Sequence, residues 1–146
     1  MTSKTTELSL DEIFNLAKAS LLKHGANEEN SDAVANTVTN AERDGSLSHG
    51  LFRIPGYIKA LKSKKVDGRA KPEIKEVTPT IFRCDAKNGF APLAHQYSLK
   101  PLIEAAQKFG IAGVAIQRSH HFAALWPEVE TISENGLVGL TSVSYT

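Results

Sequence analysis

Apolar residues recur at helical spacing through the first third of the chain, in three successive segments. The first segment opens with Ser9 and Glu12, a capping-box pair, and stops before Gly25. Ile13, Leu16, Ala17 and Leu21 follow at helical spacing. The second segment begins near Asn27 and ends at Gly45. Its buried stripe should be Val34, Thr37, Val38 and Ala41. These patterns predict two amphipathic helices.

The third helical segment is predicted to begin at the Ser48–His49 corner. Its buried side chains should be Leu51, Ile54, Ile58 and Leu61. Pro55 lies inside this pattern, and a proline within a helix removes a backbone donor. We therefore expect a kink or a broken first turn at Pro55.

The pattern then changes to strands and longer helices. A polar connector with Gly and Pro covers 66–72, and two short alternating runs, 74–78 and 80–85, predict strands. The Ala- and Leu-rich stretch 90–109 predicts a helix that is interrupted or restarted at Pro101.

The last part of the chain shows strand, helix and strand in succession. The apolar runs 111–116 and 137–143 flank a helical stretch, 124–134, and predict a βαβ unit with two parallel strands. A buried-type strand at the chain end calls for more sheet beside it, so the chain looks truncated.

The fold class is accordingly α/β, with a helical region at 1–66 and a mixed α/β part at 67–146. The second part is expected to be the incomplete start of a larger domain.

Charge and cysteine content exclude several classes of function. The 17 basic and 16 acidic residues leave a net charge of +1, which argues against a nucleic-acid-binding surface. The lone Cys84 lies in a strand-like run, so we expect a small buried side chain and no multi-cysteine zinc site. No signal peptide or membrane span is evident, which makes a cytoplasmic location the default expectation.

The first candidate site lies where the second helical pattern ends. Ser48, His49 and Arg53 supply a hydroxyl, an imidazole and a guanidinium within six positions. If Ser48 caps the next helix, His49 and Arg53 share one face of it. An imidazole can transfer a proton near neutral pH, and an arginine can hold a carboxylate with two hydrogen bonds. The alternative is a plain helix cap followed by two surface side chains.

A second polar cluster, Ser119-His120-His121, follows the predicted strand 111–116. In open α/β sheets ligands gather at the carboxyl ends of strands, so this loop is a candidate ligand site. Zinc binding by the two histidines with Glu128 is the weaker alternative, because neighbouring side chains seldom face one ion; no metal is expected. There is no Gly-x-Gly-x-x-Gly, so a Rossmann dinucleotide site is unsupported.

Two motifs resemble those of the malate/L-lactate dehydrogenase family, the non-Rossmann type of NAD(P)-dependent oxidoreductase. The first is Ser48-His49-Gly50 followed by Arg53-Ile54-Pro55-Gly56-Tyr57, and the second is the run 119–127. The likeness covers nearly the whole chain, and it implies that family's own cofactor-binding fold. Within the family, Trp126-Pro127, and Ala123 where many relatives carry Gly, favour the branch of Δ1-piperideine-2-carboxylate and Δ1-pyrroline-2-carboxylate reductases.

The resemblance implies a role for each matched residue. His49 would be the proton donor, Ser48 its partner in a charge relay, and Arg53 the ligand of the substrate carboxylate. The cofactor, NADPH with NADH as the alternative, would be bound by His121, Phe122, Ala123, Ala124 and Leu125. The family also uses residues further along its longer chains. Residues 1–146 by themselves are therefore expected to be inactive, and the whole enzyme is expected to be a homodimer without nucleic-acid or membrane partners.

The implied reaction is hydride transfer to a cyclic imino acid, giving L-pipecolate or L-proline. A 2-hydroxy acid dehydrogenase of the malate, lactate or ureidoglycolate type is the first alternative. A non-enzymatic helical interaction module is the second, and it would leave His49, Arg53 and His121 far apart. A hydrolase using Ser48 and His49 is the weakest, because adjacent residues seldom pair as nucleophile and base and no nucleophile elbow is present.

Overall fold

A computed structural model of the chain describes residues 6–121 and 125–143. These residues form five helices and three strands, with two short 3₁₀ turns, Leu47–His49 and Leu51–Arg53, before the third helix. The helices are α1 Leu10–Lys23, α2 Glu28–Arg43, α3 Ile54–Lys62, α4 Ala91–Phe109 and α5 Trp126–Glu134. The strands are β1 Glu73–Thr78, β2 Ile81–Asp85 and β3 Gly113–Gln117.

The capping box predicted for α1 is confirmed. The Ser9 hydroxyl accepts from the Glu12 N–H, and the Glu12 carboxylate accepts from the Ser9 N–H at 2.8 Å. The buried stripe is Ile13, Ala17 and Leu21. Leu16, the fourth apolar residue at helical spacing, is 50% exposed. The stripe runs through positions four apart, and Leu16 falls to one side of it.

Helix α2 begins after Asn27 as predicted, because the Asn27 side chain accepts from the Asn30 N–H at 3.0 Å. Val34, Val38 and Ala41 are buried, whereas Thr37 is half-buried. The apolar faces of the first three helices share one core, which Phe90 joins from the start of α4. The remaining members are Ile13, Ala17, Leu21, Ala26, Val34, Ala35, Val38, Ile54, Tyr57, Ala60, Leu61 and Val66.

The third helix has the broken first turn that Pro55 predicted. Two 3₁₀ turns take up residues 47–53, and α3 begins only at Ile54, so that Pro55 lies in its first turn. A proline is tolerated there because that N–H has no intrahelical partner. Ile54 and Leu61 are buried as predicted, and Tyr57 is buried as well. Leu51 and Ile58 are only partly buried, unlike the prediction.

The three strands form one mixed sheet in the order β1-β2-β3. β1 and β2 are antiparallel, and β2 and β3 are parallel, with Ile81 opposite Gly113 and Asp85 opposite Gln117. Helix α4 provides the crossover between the parallel strands, so a βαβ unit is present as β2-α4-β3. The predicted interruption at Pro101 is wrong, since α4 continues through it; Ser98 and Ala105, buried on either side, show that packing holds the helix there.

The βαβ unit predicted for 111–143 does not form as expected. β3 and α5 are present, but residues 137–143 are not in a strand, and Val138 and Leu140 are almost fully exposed. A strand needs a neighbour to receive its backbone hydrogen bonds, and an apolar run by itself does not supply one. The coarse class, helices followed by a mixed α/β part, is as predicted.

Cys84 is fully buried between the sheet and α4, as predicted, and lies beside Ala86 and Ala94. Burial raises the pKa of its thiol. Among the described residues no helix is long and apolar enough to cross a bilayer.

Candidate active site

The corner after α2 presents the His49 imidazole between two serine hydroxyls. Nδ1 of His49 lies 3.0 Å from Oγ of Ser48 and 3.2 Å from Oγ of Ser46. Ser48 does not cap a helix, contrary to the conditional prediction, because it lies inside the first 3₁₀ turn. With Nδ1 engaged by hydroxyls, Nε2 is the ring nitrogen left for proton exchange with a reactant.

Helix α2 holds this corner in place through a carboxylate. Oε1 of Glu42 accepts a hydrogen bond from the backbone N–H of Leu51 at 2.7 Å. The same carboxylate lies directly against Gly50, where any β-carbon would overlap it. The glycine of Ser-His-Gly is thus needed because a side chain from α2 approaches its backbone.

Arg53 lies at the end of the second 3₁₀ turn and points back toward the corner. Its Nε donates to the carbonyl oxygen of Ser48 at 2.8 Å. That bond occupies Nε. Within 6–121 and 125–143 the two terminal nitrogens make no hydrogen bond, and together they can bind a carboxylate end-on. One turn further along α3, Tyr57 is 5% exposed, and burial raises the pKa of its hydroxyl to about 12, against the opposing effect of Arg53.

The second polar cluster meets the first across Tyr57. The Tyr57 hydroxyl lies 3.4 Å from Nδ1 of His121, and their rings meet edge to face. Burial lowers the pKa of His121, and the positive charges of Arg53, His120 and His49 lower it further. The lowered pKa keeps His121 largely neutral at pH 7. Tyr57 follows Arg53 by one turn of α3, so its contact with His121 connects the two clusters.

Backbone hydrogen bonds hold the 119–121 loop beside the start of α4. The N–H of His120 donates to the carbonyl oxygen of Gly89 at 2.8 Å, and the N–H of Ala91 donates to the carbonyl oxygen of His120 at 3.1 Å. His121 has a φ of 48°, in the left-handed region that residues other than glycine rarely adopt. Such a backbone is common at ligand sites, where the surrounding structure enforces it.

Trp126, the first residue of α5, closes another side of the cluster. Its indole meets the His49 ring edge to face, with centroids 6.3 Å apart. Its Nε1 donates to Oδ2 of Asp44 at 2.8 Å. The end of α2 and the start of α5 are therefore joined beside the imidazole.

Of the predicted site residues, the structure brings together Ser48, His49, Arg53 and His121. Phe122, Ala123 and Ala124 lie outside the described residues. Leu125 is half-buried and precedes α5.

Sequence reasoning missed Glu42, Asp44 and Tyr57 as members of the cluster. Tyr57 could have been found, because it follows Arg53 at helical spacing. Glu42 and Asp44 carried no such signal, since their contacts depend on how α2 meets the corner and α5.

A separate cavity of about 610 Å³ lies between α4, β3, α5 and the 136–143 segment. His95 and Glu128 contribute its titratable groups, and its other lining is largely apolar. Glu128 is 5% exposed, and burial raises the pKa of its carboxyl to about 7. Within 6–121 and 125–143, no three His, Cys, Asp or Glu side chains are grouped so as to hold a metal ion.

Comparison with known proteins identifies the family of the chain. The family model described as malate/L-lactate dehydrogenase matches residues 8–146. A Δ1-pyrroline-2-carboxylate/Δ1-piperideine-2-carboxylate reductase of Pseudomonas syringae pv. tomato is 44% identical over 140 residues, or 96% of this chain and 41% of the relative. A reductase of the same name from Pseudomonas putida is 42% identical over 143 residues, or 98% of this chain and 42% of the relative.

Solved structures give the same result. The crystal structure of Δ1-piperideine-2-carboxylate reductase from P. syringae pv. tomato has a TM-score of 0.87 at 44% identity, covering 90% of this chain and 40% of that one. Malate dehydrogenase from Entamoeba histolytica has a TM-score of 0.84 at 31% identity, covering 91% and 37%. The chain spans about two fifths of the length of these relatives. It belongs to the malate/L-lactate dehydrogenase family.

Proposed function

We propose that this chain provides the catalytic corner of an NAD(P)H-dependent reductase acting on a small cyclic imino acid, such as Δ1-piperideine-2-carboxylate or Δ1-pyrroline-2-carboxylate. The observation that carries the proposal is a series of contacts that connects His49 and Arg53 to His121, which comes from a separate part of the chain. Ser48 contacts both His49 and Arg53, and Tyr57, one turn after Arg53, lies 3.4 Å from Nδ1 of His121. The helical-module alternative predicted that these residues would lie apart. The products would be L-pipecolate and L-proline.

His49 acts as the proton donor. Reduction of a C=N bond adds a hydride to the carbon and a proton to the nitrogen, and a protonated imidazole supplies that proton near neutral pH. The hydroxyl of Ser48, 3.0 Å from Nδ1, keeps the ring oriented with Nε2 toward the reactant. Ser46 provides a second such contact at 3.2 Å.

Arg53 binds the substrate carboxylate. Its Nε is already bonded to the Ser48 carbonyl, which fixes the guanidinium relative to the catalytic corner. A carboxylate held end-on by the two terminal nitrogens would present one face of the substrate ring to the hydride donor. Both a cyclic imino acid and a 2-oxo acid meet this requirement.

The loop that begins at His121 suits a nicotinamide cofactor, which supplies the hydride when bound. A neutral imidazole can donate or accept a hydrogen bond, as the carboxamide of nicotinamide requires. The buried ring of Tyr57 meets His121 edge to face, and the buried ring of Phe90 meets His120 in the same way. These two core aromatic residues support the histidine loop from below. In the same proposal, His121, Phe122, Ala123, Ala124 and Leu125 bind the cofactor, which is NADPH in preference to NADH. The whole enzyme is proposed to be a homodimer located in the cytoplasm.

A chimera tests the proposal. Residues 8–146 would replace the matching segment of the P. syringae reductase, and oxidation of NADPH and NADH would be followed with Δ1-piperideine-2-carboxylate and with 2-oxo acids. We expect activity with the imino acid and its loss in the His49→Gln chimera. A folded chimera that reduces only 2-oxo acids would support the hydroxy acid dehydrogenase alternative. One that oxidises neither cofactor would contradict both.

A further inference from the structure

A polar bridge joins the end of α2 to the start of α5. Oδ2 of Asp44 accepts from the Trp126 indole at 2.8 Å and from Nη2 of Arg43 at 3.0 Å. Nε of Arg43 also donates to Oδ1 of Asp44 at 2.7 Å, and Nη2 reaches Glu130 on α5 at 3.1 Å. Asp44 is the member of this bridge that bonds to the indole directly.

The indole at the other end of this bond touches the proposed proton donor. Its ring meets that of His49 edge to face, with an interplanar angle of 78°. Ser46 and Ser48 both contact Nδ1 of the imidazole, whereas Trp126 contacts the ring itself. A neighbouring aromatic ring limits rotation of the imidazole only if it is itself held in place.

We propose that Asp44 is a positioning residue, which fixes the Trp126 indole against His49 and thereby fixes the orientation of the imidazole. Its effect on the rate rests on the proposed function, whereas its effect on the indole does not. An ionised carboxylate is a strong acceptor, and bonds to it are shorter and stronger than those between neutral groups. The bidentate contact with Arg43 lowers the pKa of Asp44 and keeps it ionised at neutral pH.

The indole can be followed directly, because Trp126 is the only tryptophan in the chain. In the 146-residue protein, Asp44→Ala should shift the fluorescence emission to longer wavelength and increase quenching by acrylamide. Asp44→Asn keeps an acceptor oxygen and should retain most of the native spectrum. Glu130→Gln is the matched control, since it removes a carboxylate of the same bridge that does not touch the indole. An unchanged spectrum in Asp44→Ala would overturn the proposal.

Kinetics in the chimera test the second half of the proposal. Asp44→Ala should lower kcat about tenfold, the scale of one lost charge-assisted hydrogen bond, with the KM for the imino acid changed by less than about twofold. Asp44→Asn should recover most of this loss, and Glu130→Gln should retain the parent kcat. In the Trp126→Phe background, Asp44→Ala should have little further effect, because the indole N–H is already gone.

The outcomes separate the two proposals. Equal losses from Asp44→Ala with and without Trp126→Phe would show that Asp44 does not act through the indole, and would overturn the positioning role. A chimera that reduces no imino acid, together with the expected fluorescence changes, would overturn the proposed function and the rate effect while leaving the Asp44–Trp126 contact established. Circular dichroism melting of each variant checks that a loss does not come from unfolding.

Discussion

The carboxylate of Glu42 and the backbone N–H of Leu51 are joined by a 2.7 Å hydrogen bond that ties α2 to the catalytic corner. The bond reaches over Gly50, the third residue of Ser-His-Gly, whose missing side chain leaves room for the carboxylate. Glu42 is half-buried, and the N–H of Leu51, which has no partner within its 3₁₀ turn, stabilises the carboxylate by donating a hydrogen bond to it. The corner is therefore held both by its own serine hydroxyls and by a helix that precedes it.

Gly50→Ala should destabilise the protein by about 1–3 kcal/mol, because the new methyl group must displace the Glu42 carboxylate and break its bond to Leu51. Urea unfolding measures the change. Gly56→Ala is the matched control, since its methyl group meets nothing within 4 Å and lies in helix α3. It should be neutral or stabilising by about 0.5–1 kcal/mol. In a Glu42→Ala background, Gly50→Ala should cost less, and an equal cost in both backgrounds would contradict this account.

His49→Ala in the active chimera should lower kcat by on the order of a hundredfold, the usual contribution of a general acid. Cofactor affinity, measured by fluorescence titration, should change little. A kcat within about threefold of the parent would exclude the proton-donor role.

Ser48→Ala should have a smaller effect than His49→Ala, because the hydroxyl of Ser46 still reaches Nδ1 at 3.2 Å. In the double variant Ser46→Ala with Ser48→Ala, the fold-loss in kcat should exceed the product of the two single fold-losses, because in each single variant the remaining hydroxyl still contacts Nδ1. Steady-state kinetics of the four proteins give the coupling. Simple additivity would mean that the serines do not share the orientation of the ring.

Arg53→Lys should lower kcat/KM by about one to two decades, because an ammonium lacks the planar fork that binds a carboxylate end-on. The test compares the imino acid with its carboxamide analogue. In the parent chimera the amide should have a much lower kcat/KM than the acid. In Arg53→Lys the ratio of the two kcat/KM values should be smaller, because the contact that is lost was to the carboxylate. Equal losses for acid and amide would indicate that Arg53 acts mainly through its 2.8 Å bond to the Ser48 carbonyl.

Glu128→Gln should alter how stability depends on pH. Burial raises the pKa of Glu128 from 4.5 to about 7, so the folded state holds a proton that the unfolded state releases. The free energy of unfolding therefore falls as pH rises from about 4.5 to about 7, by roughly 3 kcal/mol at most, and changes little from this group beyond that window.

The measurement is the difference in unfolding free energy between the parent and Glu128→Gln at pH 5 and pH 8. The variant should gain relative stability at the higher pH, because it never buries a charge. His95 lines the same cavity and its pKa is lowered by burial, but its contribution is present in both proteins. Ser133→Ala, an exposed change on the same helix that removes no titratable group, should show no such trend. A constant difference across pH would show that Glu128 is ionised when folded.

Local features of the chain were predictable wherever the physics is local. The Ser9–Glu12 capping box and the Asn27 cap each involve atoms three residues apart, and both formed as predicted. The broken turn at Pro55 follows from the missing donor of a single residue. Burial of Cys84 followed from its place in a strand-like run.

Features that depend on a distant partner were not predictable. The run 137–143 has the composition of a buried strand, yet it forms no strand in the described structure, because pairing requires a neighbour that composition does not specify. Leu16 fits a helical stripe but is half exposed, since the packing of α1 on α2 selects which of two adjacent faces is covered. Pro101 did not interrupt α4, because burial on both sides of it outweighs one lost hydrogen bond.

For the candidate site, the sequence by itself determined which chemistry is available: Ser48, His49 and Arg53 in one short motif, and His121 in another. Only the tertiary structure decided that these groups meet, since 68 positions of chain separate Arg53 from His121. The tertiary structure also places four further residues beside these groups, because α2, α3 and α5 pack around the corner. They are Glu42, Asp44, Tyr57 and Trp126. The physical reason is that residue types and short spacings are written along the chain, whereas contacts between distant segments depend on how whole helices bury their apolar faces.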